Sequence, residues 1–247
     1  MTITADLSGK TAIVTGASSG IGRAIAERMG AAGAHVILSG RTAGAMEQSA
    51  ALIAAAGGRA TVMVGDIRQS STVDELVAAA LEADGHLDIF VNNAGVSYLG
   101  GVLDGNVEQW SEMLDINVLS LLAGATAAVA AMRSVGNRGH IVNVSSVAAL
   151  RPDSGVYGAT KHAVNVITNS LREELLDDPI QVVSIMPGLV ATNIGRNADP
   201  ELLAGIVAMS GIEVEIIPGE RLPDDVLEAA QAVLADIMIA PDDVADA

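Results

Sequence analysis

The sequence predicts an α/β fold in which helices cover both faces of a doubly wound parallel sheet. Short apolar runs alternate along its 247 residues with longer stretches of helical pattern, and this alternation is typical of βαβ units with right-handed crossovers. The apolar runs are rich in β-branched residues on both faces, as expected of strands buried inside a parallel sheet. No linker, low-complexity segment or repeat interrupts the pattern, so we predict a single domain over residues 1–247.

Six strands and five helices are predicted before residue 187. The strands cover Thr11–Thr15, His35–Gly40, Ala60–Gly65, Asp88–Asn92, His140–Ser145 and Gln181–Met186. The helices cover Gly20–Ala32, Ala43–Ala56, Ser71–Ala83, Val107–Val135 and Tyr157–Leu176. Each strand is separated from the next by a helix or a long connection, so the strands are expected to run parallel.

The chain changes character after Met186. Pro187 and Gly188 break the last strand, and the less regular segment 188–223 is predicted to form a loop or lid over a substrate pocket. A further helix is predicted at Asp224–Asp236, and the residues from Pro241 onward have the pattern of another helix start. No seventh strand is predicted.

The composition excludes several classes of function. A net charge of −17 and a pI near 4.3 argue against a nucleic-acid partner, which requires a basic face. There is no cysteine and the four histidines are scattered, so neither a disulfide nor a metal site is predicted. The sequence shows no signal peptide and no apolar run of about 18 residues, so we expect a soluble cytoplasmic protein without a membrane partner.

A glycine-rich loop follows the first predicted strand. The residues from Thr15 to Gly22 contain the glycine spacing G-x-x-x-G-x-G and run directly into a helical stretch. Glycines let the backbone turn tightly and approach a pyrophosphate, which is attracted by the amide groups and dipole of a helix N-terminus. The loop therefore predicts a Rossmann-like dinucleotide site. Its candidate residues are Gly16, Ser18, Ser19, Gly20, Ile21 and Gly22.

The end of the second predicted strand indicates which dinucleotide is bound. A site for NAD usually places an acidic residue there to bind the ribose hydroxyls. This strand ends in Ser39-Gly40-Arg41 without an acid, and Arg41 is placed to bind a 2′-phosphate. The alternative is that Arg41 is only an exposed arginine at a helix start. We predict NADP as the cofactor, with NAD as the alternative.

Tyr157 and Lys161 form a candidate proton-transfer pair. They lie four residues apart in a predicted helix, so both side chains are on one face of it. A nearby cation stabilises a phenolate, and we therefore expect the pKa of Tyr157 to lie below its usual value of about 10. Such a tyrosine can donate a proton to a carbonyl oxygen or accept one from an alcohol. The alternative is a surface lysine above a half-buried tyrosine.

Taken together, these motifs resemble the short-chain dehydrogenase/reductase family in its single-domain form. The resemblance covers the chain from its first strand to about Thr192. It is carried by motifs in one order along the chain, namely Thr15–Gly22, Asp66-Ile67, Asn92-Asn93-Ala94-Gly95, Asn117, Ser145-Ser146, Tyr157 with Lys161, and Pro187-Gly188 with Thr192.

The resemblance implies a role for each motif. Tyr157 is expected to be the general acid/base, and Lys161 to hold the nicotinamide ribose and favour the phenolate. A serine is expected to bind the substrate oxygen, and Asn117 to hold a water that links Lys161 to solvent. The implied cofactor contacts are Asp66 and Ile67 at the adenine, Asn93, Ala94 and Gly95 beneath the cofactor, and Pro187, Gly188 and Thr192 around the nicotinamide, with Asn92 bracing the sheet.

Two features depart from the family pattern. The family's serine usually lies 13 residues before the tyrosine, where this chain has Val144. Ser146 is favoured as the catalytic serine, on the interpretation that the following loop is shortened, and Ser145 is the alternative. Family members also usually end in one more helix and a seventh strand, which this sequence does not show, so contacts between subunits that depend on that strand are in question.

The predicted function is reversible hydride transfer between NADP(H) and a carbonyl/alcohol pair, with a neutral or apolar ketone or aldehyde as the substrate class. The alternatives are an NAD-linked alcohol dehydrogenase and a dinucleotide-binding protein without catalysis. The long helices Val107–Val135 and Tyr157–Leu176 carry more apolar residues than one sheet face needs, so a homodimer or homotetramer is expected.

Overall fold

A six-stranded parallel sheet forms the centre of the protein and confirms the predicted fold class. The computed structural model describes residues 5–98, 101–103, 105–192, 232 and 238–247. The strands are β1 Thr11–Thr15, β2 His35–Gly40, β3 Arg59–Val64, β4 Ile89–Asn92, β5 Gly139–Val144 and β6 Ile180–Ile185. They lie in the order β3-β2-β1-β4-β5-β6, and every pairing is parallel. Each strand end is within one residue of its predicted position.

Helices cover both faces of this sheet. Their bounds are α1 Gly20–Ala31, α2 Ala43–Ala55, α3 Ser70–Asp84, α4 Val107–Leu114, α5 Ser120–Ser134, α6 Gly155–Glu174 and α7 Pro241–Ala245. One core packs Ile13, Ile37 and Phe90 of the sheet against the side of α3, α5 and α6. The other packs the alternate strand residues, such as Val14 and Val36, against the side of α1 and α2. The strands are therefore buried on both faces, which is why they are apolar throughout.

The predicted helix Val107–Val135 is present as one helical stretch, Val107–Ser134, but the prediction missed that it is not α-helical throughout. A π-helical segment, Asp115–Leu119, separates α4 from α5. At its centre the side chain of Asn117 turns into the protein, where it bonds the backbone of Val96 and the hydroxyl of Thr160. A π-helical turn redirects the side chains that follow it and is frequent at functional sites.

The helical stretch Val107–Ser134 is, by length and composition, apolar enough to cross a membrane. The expectation that no stretch of this sequence would qualify was therefore too strong. Half of its most apolar window is buried inside the protein. The buried side of α5 includes Leu121, Ala125 and Met132, of which Ala125 and Met132 pack in the core against the sheet. Core helices of soluble proteins pass the same test, and packing in the protein accounts for the buried half of this window.

The last described residues return to the start of the chain. Ile239 pairs with Val190 in a parallel bridge that the sequence did not predict. The helix α7 begins at Pro241 as predicted and lies against α1, where Asp246 forms an ion pair with Arg28. Of the predicted helix Asp224–Asp236, only Ala232 is among the described residues, and it is helical. Residues 193–223 of the predicted substrate loop also lie outside them.

The order of the strands positions the functional site. Strands β2 and β3 lie on one side of β1 in the sheet, and β4, β5 and β6 lie on the other, so the strand order reverses at β1. At such a reversal the loops after neighbouring strands diverge and open a crevice at the carboxyl ends of the strands. The glycine-rich loop leaves β1 at this edge, and Asn93 leaves β4 beside it.

Candidate active site

The glycine-rich loop is packed so closely against the end of β4 that two of its glycines leave no room for a side chain. Gly16 has a φ of +68°, and a Cβ atom there would lie 2.9 Å from the Cα atom of Ala94. A Cβ atom on Gly22 would lie 2.2 Å from Nδ2 of Asn93. Glycine is therefore required at both positions, and the start of α1 is left accessible to a ligand.

Thr15 and Asn93 fasten this loop to the neighbouring strand. The Thr15 hydroxyl accepts hydrogen bonds from the amides of Asn93 at 3.0 Å and Ala94 at 3.1 Å, and donates to the carbonyl of Val91 at 3.0 Å. The Asn93 side chain donates to the Thr15 carbonyl at 2.9 Å. These bonds fix the floor of the crevice before any ligand binds. Thr15 is the first residue of the predicted motif, but the sequence did not predict that its side chain would brace the loop against β4.

A cavity of about 480 Å³ runs from the glycine loop to the ends of β2 and β3. It brings together most of the residues predicted to bind a cofactor. Its described walls include Gly16, Ser18, Ser19, Gly20, Ile21, Arg41, Asp66, Ile67, Asn93, Ala94, Gly95 and Thr192. Gly22 lies behind this wall, against Asn93. The long, polar shape suits a dinucleotide, and the excluded side chains at the glycines fit a pyrophosphate.

Arg68 pairs with Asp66, a contact that the sequence did not predict. Its backbone amide and side chain both donate hydrogen bonds to the Asp66 carboxylate. The side-chain bond from Arg68 is the largest cause holding the pKa of Asp66 below its usual value, and the charge of Arg41 adds to the same effect. Asp66 is therefore ionised but already paired, and any contact to an adenine uses its remaining acceptor positions.

Tyr157 and Lys161 are both buried on the inner side of α6. Their side chains face each other, with the Lys161 Nζ atom 6.0 Å from the centre of the Tyr157 ring. Nζ also donates a hydrogen bond to the carbonyl of Val144 at 2.8 Å. The residues are 8% and 4% exposed, so the alternative of a surface lysine is wrong.

Burial shifts the pKa values of this pair in opposite directions. Desolvation lowers the pKa of Lys161 to about 8, because the charged ammonium is penalised in the interior. Desolvation also raises the pKa of Tyr157, and a hydrogen bond with Ser146 only partly offsets that rise. The prediction of a pKa below the usual value for Tyr157 was therefore wrong for this arrangement, since desolvation outweighs the hydrogen bond with Ser146.

The two adjacent serines have different surroundings. Ser145 is buried and its hydroxyl donates to the carbonyl of Lys161 at 3.1 Å, which ties the end of β5 to α6. Ser146 accepts a hydrogen bond from the Ala148 amide at 3.1 Å, and its hydroxyl is near enough to the phenol to lower the pKa of Tyr157. The structure therefore places Ser146, and not Ser145, beside the phenol.

Asn117 and Gly95 complete the surroundings of the lysine. The Asn117 side chain accepts from the Val96 amide and donates to its carbonyl, both at 2.9 Å, and donates to Thr160 at 3.0 Å. A Cβ atom on Gly95 would lie 3.4 Å from Oδ1 of Asn117 and 3.6 Å from Nζ of Lys161. These three residues therefore meet at one point.

A buried network of side-chain hydrogen bonds fixes the position of α6 on the sheet. Asn92 donates to Asn143 at 2.9 Å, and Asn143 donates to the hydroxyl of Thr168 at 2.9 Å. Thr168 lies two turns beyond Lys161 on the same helix. This network thus links the ends of β4 and β5 to the helix that carries Tyr157. Asn92 takes part in bracing the sheet, as expected, whereas Asn143 and Thr168 were not identified from the sequence.

A second cavity of about 750 Å³ contains this group of side chains. Its described walls are largely apolar, and Tyr157, Lys161 and Ser146 lie among them. The chain after β6 forms another side, where the Pro187 carbonyl accepts a hydrogen bond from Val147 at 3.0 Å. Gly188, Leu189 and Val190 continue this wall as far as Thr192, which packs over Gly20.

Comparison with known proteins agrees with this geometry. The sequence profile described as "short chain dehydrogenase" matches residues 10–202, which is well over half of the chain. The protein belongs to the short-chain dehydrogenase family.

Its relatives within the family include uncharacterized proteins. An uncharacterized oxidoreductase of Staphylococcus epidermidis is 38% identical over 192 residues, which cover 77% of this chain and 82% of the relative. One of Methylorubrum extorquens is 36% identical over 226 residues, covering 82% of this chain and 90% of the relative. The chain is thus similar to family oxidoreductases over most of its length.

Solved structures of the family share the fold over almost the whole chain. A short-chain dehydrogenase/reductase from Burkholderia phymatum, in complex with NAD, is 28% identical with a TM-score of 0.78, covering 97% of this chain and 84% of the other. An alcohol dehydrogenase from Thermococcus sibiricus, complexed with 5-hydroxy-NADP, is 25% identical with a TM-score of 0.75, covering 96% and 87%. One of these two proteins was thus solved with NAD and the other with 5-hydroxy-NADP.

Proposed function

We propose that this short-chain dehydrogenase is an NADP-dependent oxidoreductase that interconverts a carbonyl compound and its alcohol. The observation that carries the proposal is the meeting of Tyr157, Lys161 and Ser146 in a cavity that adjoins the glycine-rich crevice. A purely structural tyrosine needs neither a buried ammonium nor a serine at its hydroxyl. Proton transfer to a substrate oxygen uses both.

The residues present fit a nicotinamide dinucleotide. The two cavities share a set of wall residues, so one elongated ligand can extend through both of them. The shared residues are Ile21, Asn93, Gly95, Ser97 and Thr192. When bound, the cofactor supplies or accepts the hydride. Arg41, exposed at the edge of its cavity, supports NADP because a guanidinium pairs well with a 2′-phosphate.

The chain's own residues supply the proton and the orientation. With its pKa raised by burial, Tyr157 is protonated at neutral pH and is placed to donate to a carbonyl oxygen. Ser146 donates a hydrogen bond to the same oxygen and stabilises its developing charge. Lys161, with a pKa of about 8, is mostly protonated at pH 7 and stabilises the phenolate that forms.

Asn117 is proposed to hold a water that links Lys161 to solvent. The proton that Tyr157 gives to the substrate is then replaced by one from Lys161, which regains its own from this water. Both hydrogens of its amide are used, by Val96 and Thr160. Its oxygen accepts one bond, from the Val96 amide, and so keeps one acceptor position free for a water on the side of Gly95.

The apolar wall of the larger cavity supports a neutral ketone or aldehyde as the substrate. We also propose a homodimer or homotetramer. Several apolar side chains on the outer face of the α4–α5 stretch and of α6 are exposed, because no described residue of the chain covers them. They are Leu114, Leu119, Leu122 and Val166, at 47%, 57%, 38% and 52% exposure.

A ketone and aldehyde panel with NADPH and NADH tests the proposed function. We expect carbonyl-dependent oxidation of NADPH, with kcat/KM for NADPH above that for NADH. The Arg41→Ala variant should lower kcat/KM with NADPH more than with NADH, and Arg23→Ala, which removes an ion pair with Glu27, serves as the control. NADPH binding without turnover of any carbonyl compound would instead support the non-catalytic dinucleotide-binding alternative. A preference for NADH would support the NAD-linked alternative.

A further inference from the structure

Ser97 carries a buried hydroxyl that the proposed mechanism does not use. The residue is 2% exposed, and its Oγ atom has no hydrogen-bond partner among the described residues. Buried polar groups are almost always paired, and leaving one unpaired costs free energy. An exception beside a reaction site therefore requires an explanation.

The position of Ser97 is fixed independently of its own side chain. The preceding residue, Val96, is held at both its amide and its carbonyl by Asn117. Gly95, two residues before Ser97, lies beside Lys161. Two residues of chain span at most about 7 Å, so the Ser97 backbone is within a short distance of the reacting groups. The Ser97 hydroxyl is thus held near the reacting groups by the backbone before it, and not by a hydrogen bond of its own among the described residues.

Ser97 lies in the wall shared by both cavities, and the chain after it leads to the substrate side. Gly101 and Val102, the next described wall residues, line only the larger cavity that contains Tyr157. A serine side chain turns about a single bond, so its hydroxyl can rotate toward a ligand there at small cost. The substrate is therefore the partner that this placement favours.

The charges of the larger cavity indicate a neutral partner. Its described walls contain three charged side chains. Lys161 already donates a hydrogen bond to the Val144 carbonyl. Arg151 pairs with Asp153 at 2.8 Å, and these two side chains are each 65% exposed at the rim. The ammonium of Lys161 has no anionic partner among the described residues, but it is already committed to Val144 and the phenol, and Arg151 is paired with Asp153. A hydroxyl or second carbonyl on the substrate would instead match the hydroxyl of Ser97.

We propose that Ser97 is a specificity residue that hydrogen-bonds a neutral oxygen a few bonds from the reacting carbonyl. The preferred substrates are then hydroxy ketones or diketones and not simple alkyl ketones. This inference rests on the proposed carbonyl reduction and adds the class of substrate to it. A site built to bond a polar group discriminates strongly against an isostere that lacks it, because its own polar group is then left unpaired.

Two pairs of ketones that differ only by hydroxyl for methyl test this inference. They are hydroxyacetone with 2-butanone, and 2-hydroxyacetophenone with propiophenone. The wild type should have a higher kcat/KM for the hydroxy ketone of each pair. Ser97→Ala should reduce that ratio about tenfold, as expected for one hydrogen bond, and Ser97→Thr should restore much of it.

Ser184→Ala provides the matched control. Ser184 also carries a buried hydroxyl with no partner among the described residues, but it lies on β6 and lines neither cavity. Its substitution should leave the ratio as in the wild type. Melting temperatures complete the test, because removing an unpaired hydroxyl at either position should not lower them.

The possible failures are distinguishable. If the wild type reduces carbonyl compounds but Ser97→Ala lowers kcat/KM equally for both members of each pair, the specificity role is contradicted and the proposed function stands. Weaker NADPH binding in Ser97→Ala, measured by fluorescence, would assign the hydroxyl to the cofactor and also overturn the inference. If the wild type reduces no carbonyl compound, the proposed function fails and this inference fails with it.

Discussion

At the scale of single residues, the site depends on two ionisable groups whose burial is unfavourable. Desolvation lowers the pKa of Lys161 and raises that of Tyr157, so both shifts favour the neutral forms. A lysine held in this way costs stability while it remains charged. Such a cost is typical of residues that are retained for chemistry, because a protein without this requirement would place an apolar side chain there.

The pH dependence of stability should reveal this cost. The folded pKa of Lys161 is about 8 and the unfolded value is 10.5. Below pH 8 Lys161 is protonated in both the folded and the unfolded protein, and the full cost of burying its charge is present. Between pH 8 and pH 10.5 the unfolded protein binds more protons than the folded one, so the free energy of unfolding increases with pH. Relative to Lys161→Met, the free energy of unfolding of the wild type should rise by about 2 kcal/mol between pH 7 and pH 9.5. Denaturant unfolding of both proteins measures it, and a difference that is independent of pH would contradict the buried, desolvated lysine.

The two adjacent serines should separate chemistry from stability. Ser146→Ala removes the hydroxyl beside Tyr157 and should lower kcat by about 100-fold with little change in melting temperature. Ser145→Ala removes a buried bond to the Lys161 carbonyl and should destabilise the protein by about 1 kcal/mol, with the smaller loss of kcat. Steady-state kinetics and thermal unfolding of both variants provide the measurement. The reverse pattern would assign the catalytic role to Ser145.

At the scale of elements, the strands and most helices were predictable because their patterns are long and local. The π-helical segment was not, since it depends on Asn117 bonding to Val96 and Thr160, residues that are distant in sequence. The same reason applies to the chain from Asn92 through Asn143 to Thr168. Its members are ordinary polar residues in sequence, and only the register of β4 against β5 brings them together.

The contact between the glycine loop and the end of β4 gives the third prediction. Gly22→Ala places a methyl group against Asn93 and the Gly16 carbonyl, with a separation of 2.2 Å from Asn93 Nδ2 before relaxation. We expect the Kd for NADPH to rise at least tenfold, because the floor of the crevice must shift. Gly44→Ala in α2, where a Cβ atom meets nothing within 4 Å, is the matched control and should leave the Kd as in the wild type. Equal affinities of the three proteins would show that the loop does not hold the cofactor.

At the scale of the whole molecule, the fold class followed from the alternation of strands and helices, and the position of the site followed from the strand order. The sequence could not show whether burial or hydrogen bonding dominates the pKa of Tyr157, because this depends on how closely α6 packs onto the sheet. The pairing of Asp66 with Arg68 was also beyond it, because side chains two residues apart meet only when the loop turns.

The exposed apolar residues of the α4–α5 stretch and α6 give a prediction for assembly. A double variant, Leu119→Glu with Val166→Glu, should convert the proposed dimer or tetramer into a monomer, because it places charges within an apolar contact. Leu52→Glu on α2, where the leucine is 52% exposed, is the control and should keep the assembly of the wild type. Light scattering coupled to size exclusion measures the masses. A wild type that is already monomeric would contradict the proposed assembly.

The most direct test of the central claim is the rate of carbonyl-dependent NADPH oxidation by Tyr157→Phe. This substitution removes only the hydroxyl that is proposed to donate the proton, and it keeps the ring that packs beneath Lys161. With a ketone that the wild type reduces, kcat should fall by about 10²–10⁴-fold, the usual contribution of a positioned acid, while fluorescence shows that NADPH still binds. A variant that reduces the ketone at the wild-type rate would contradict the role of Tyr157 and, with it, the proposed mechanism.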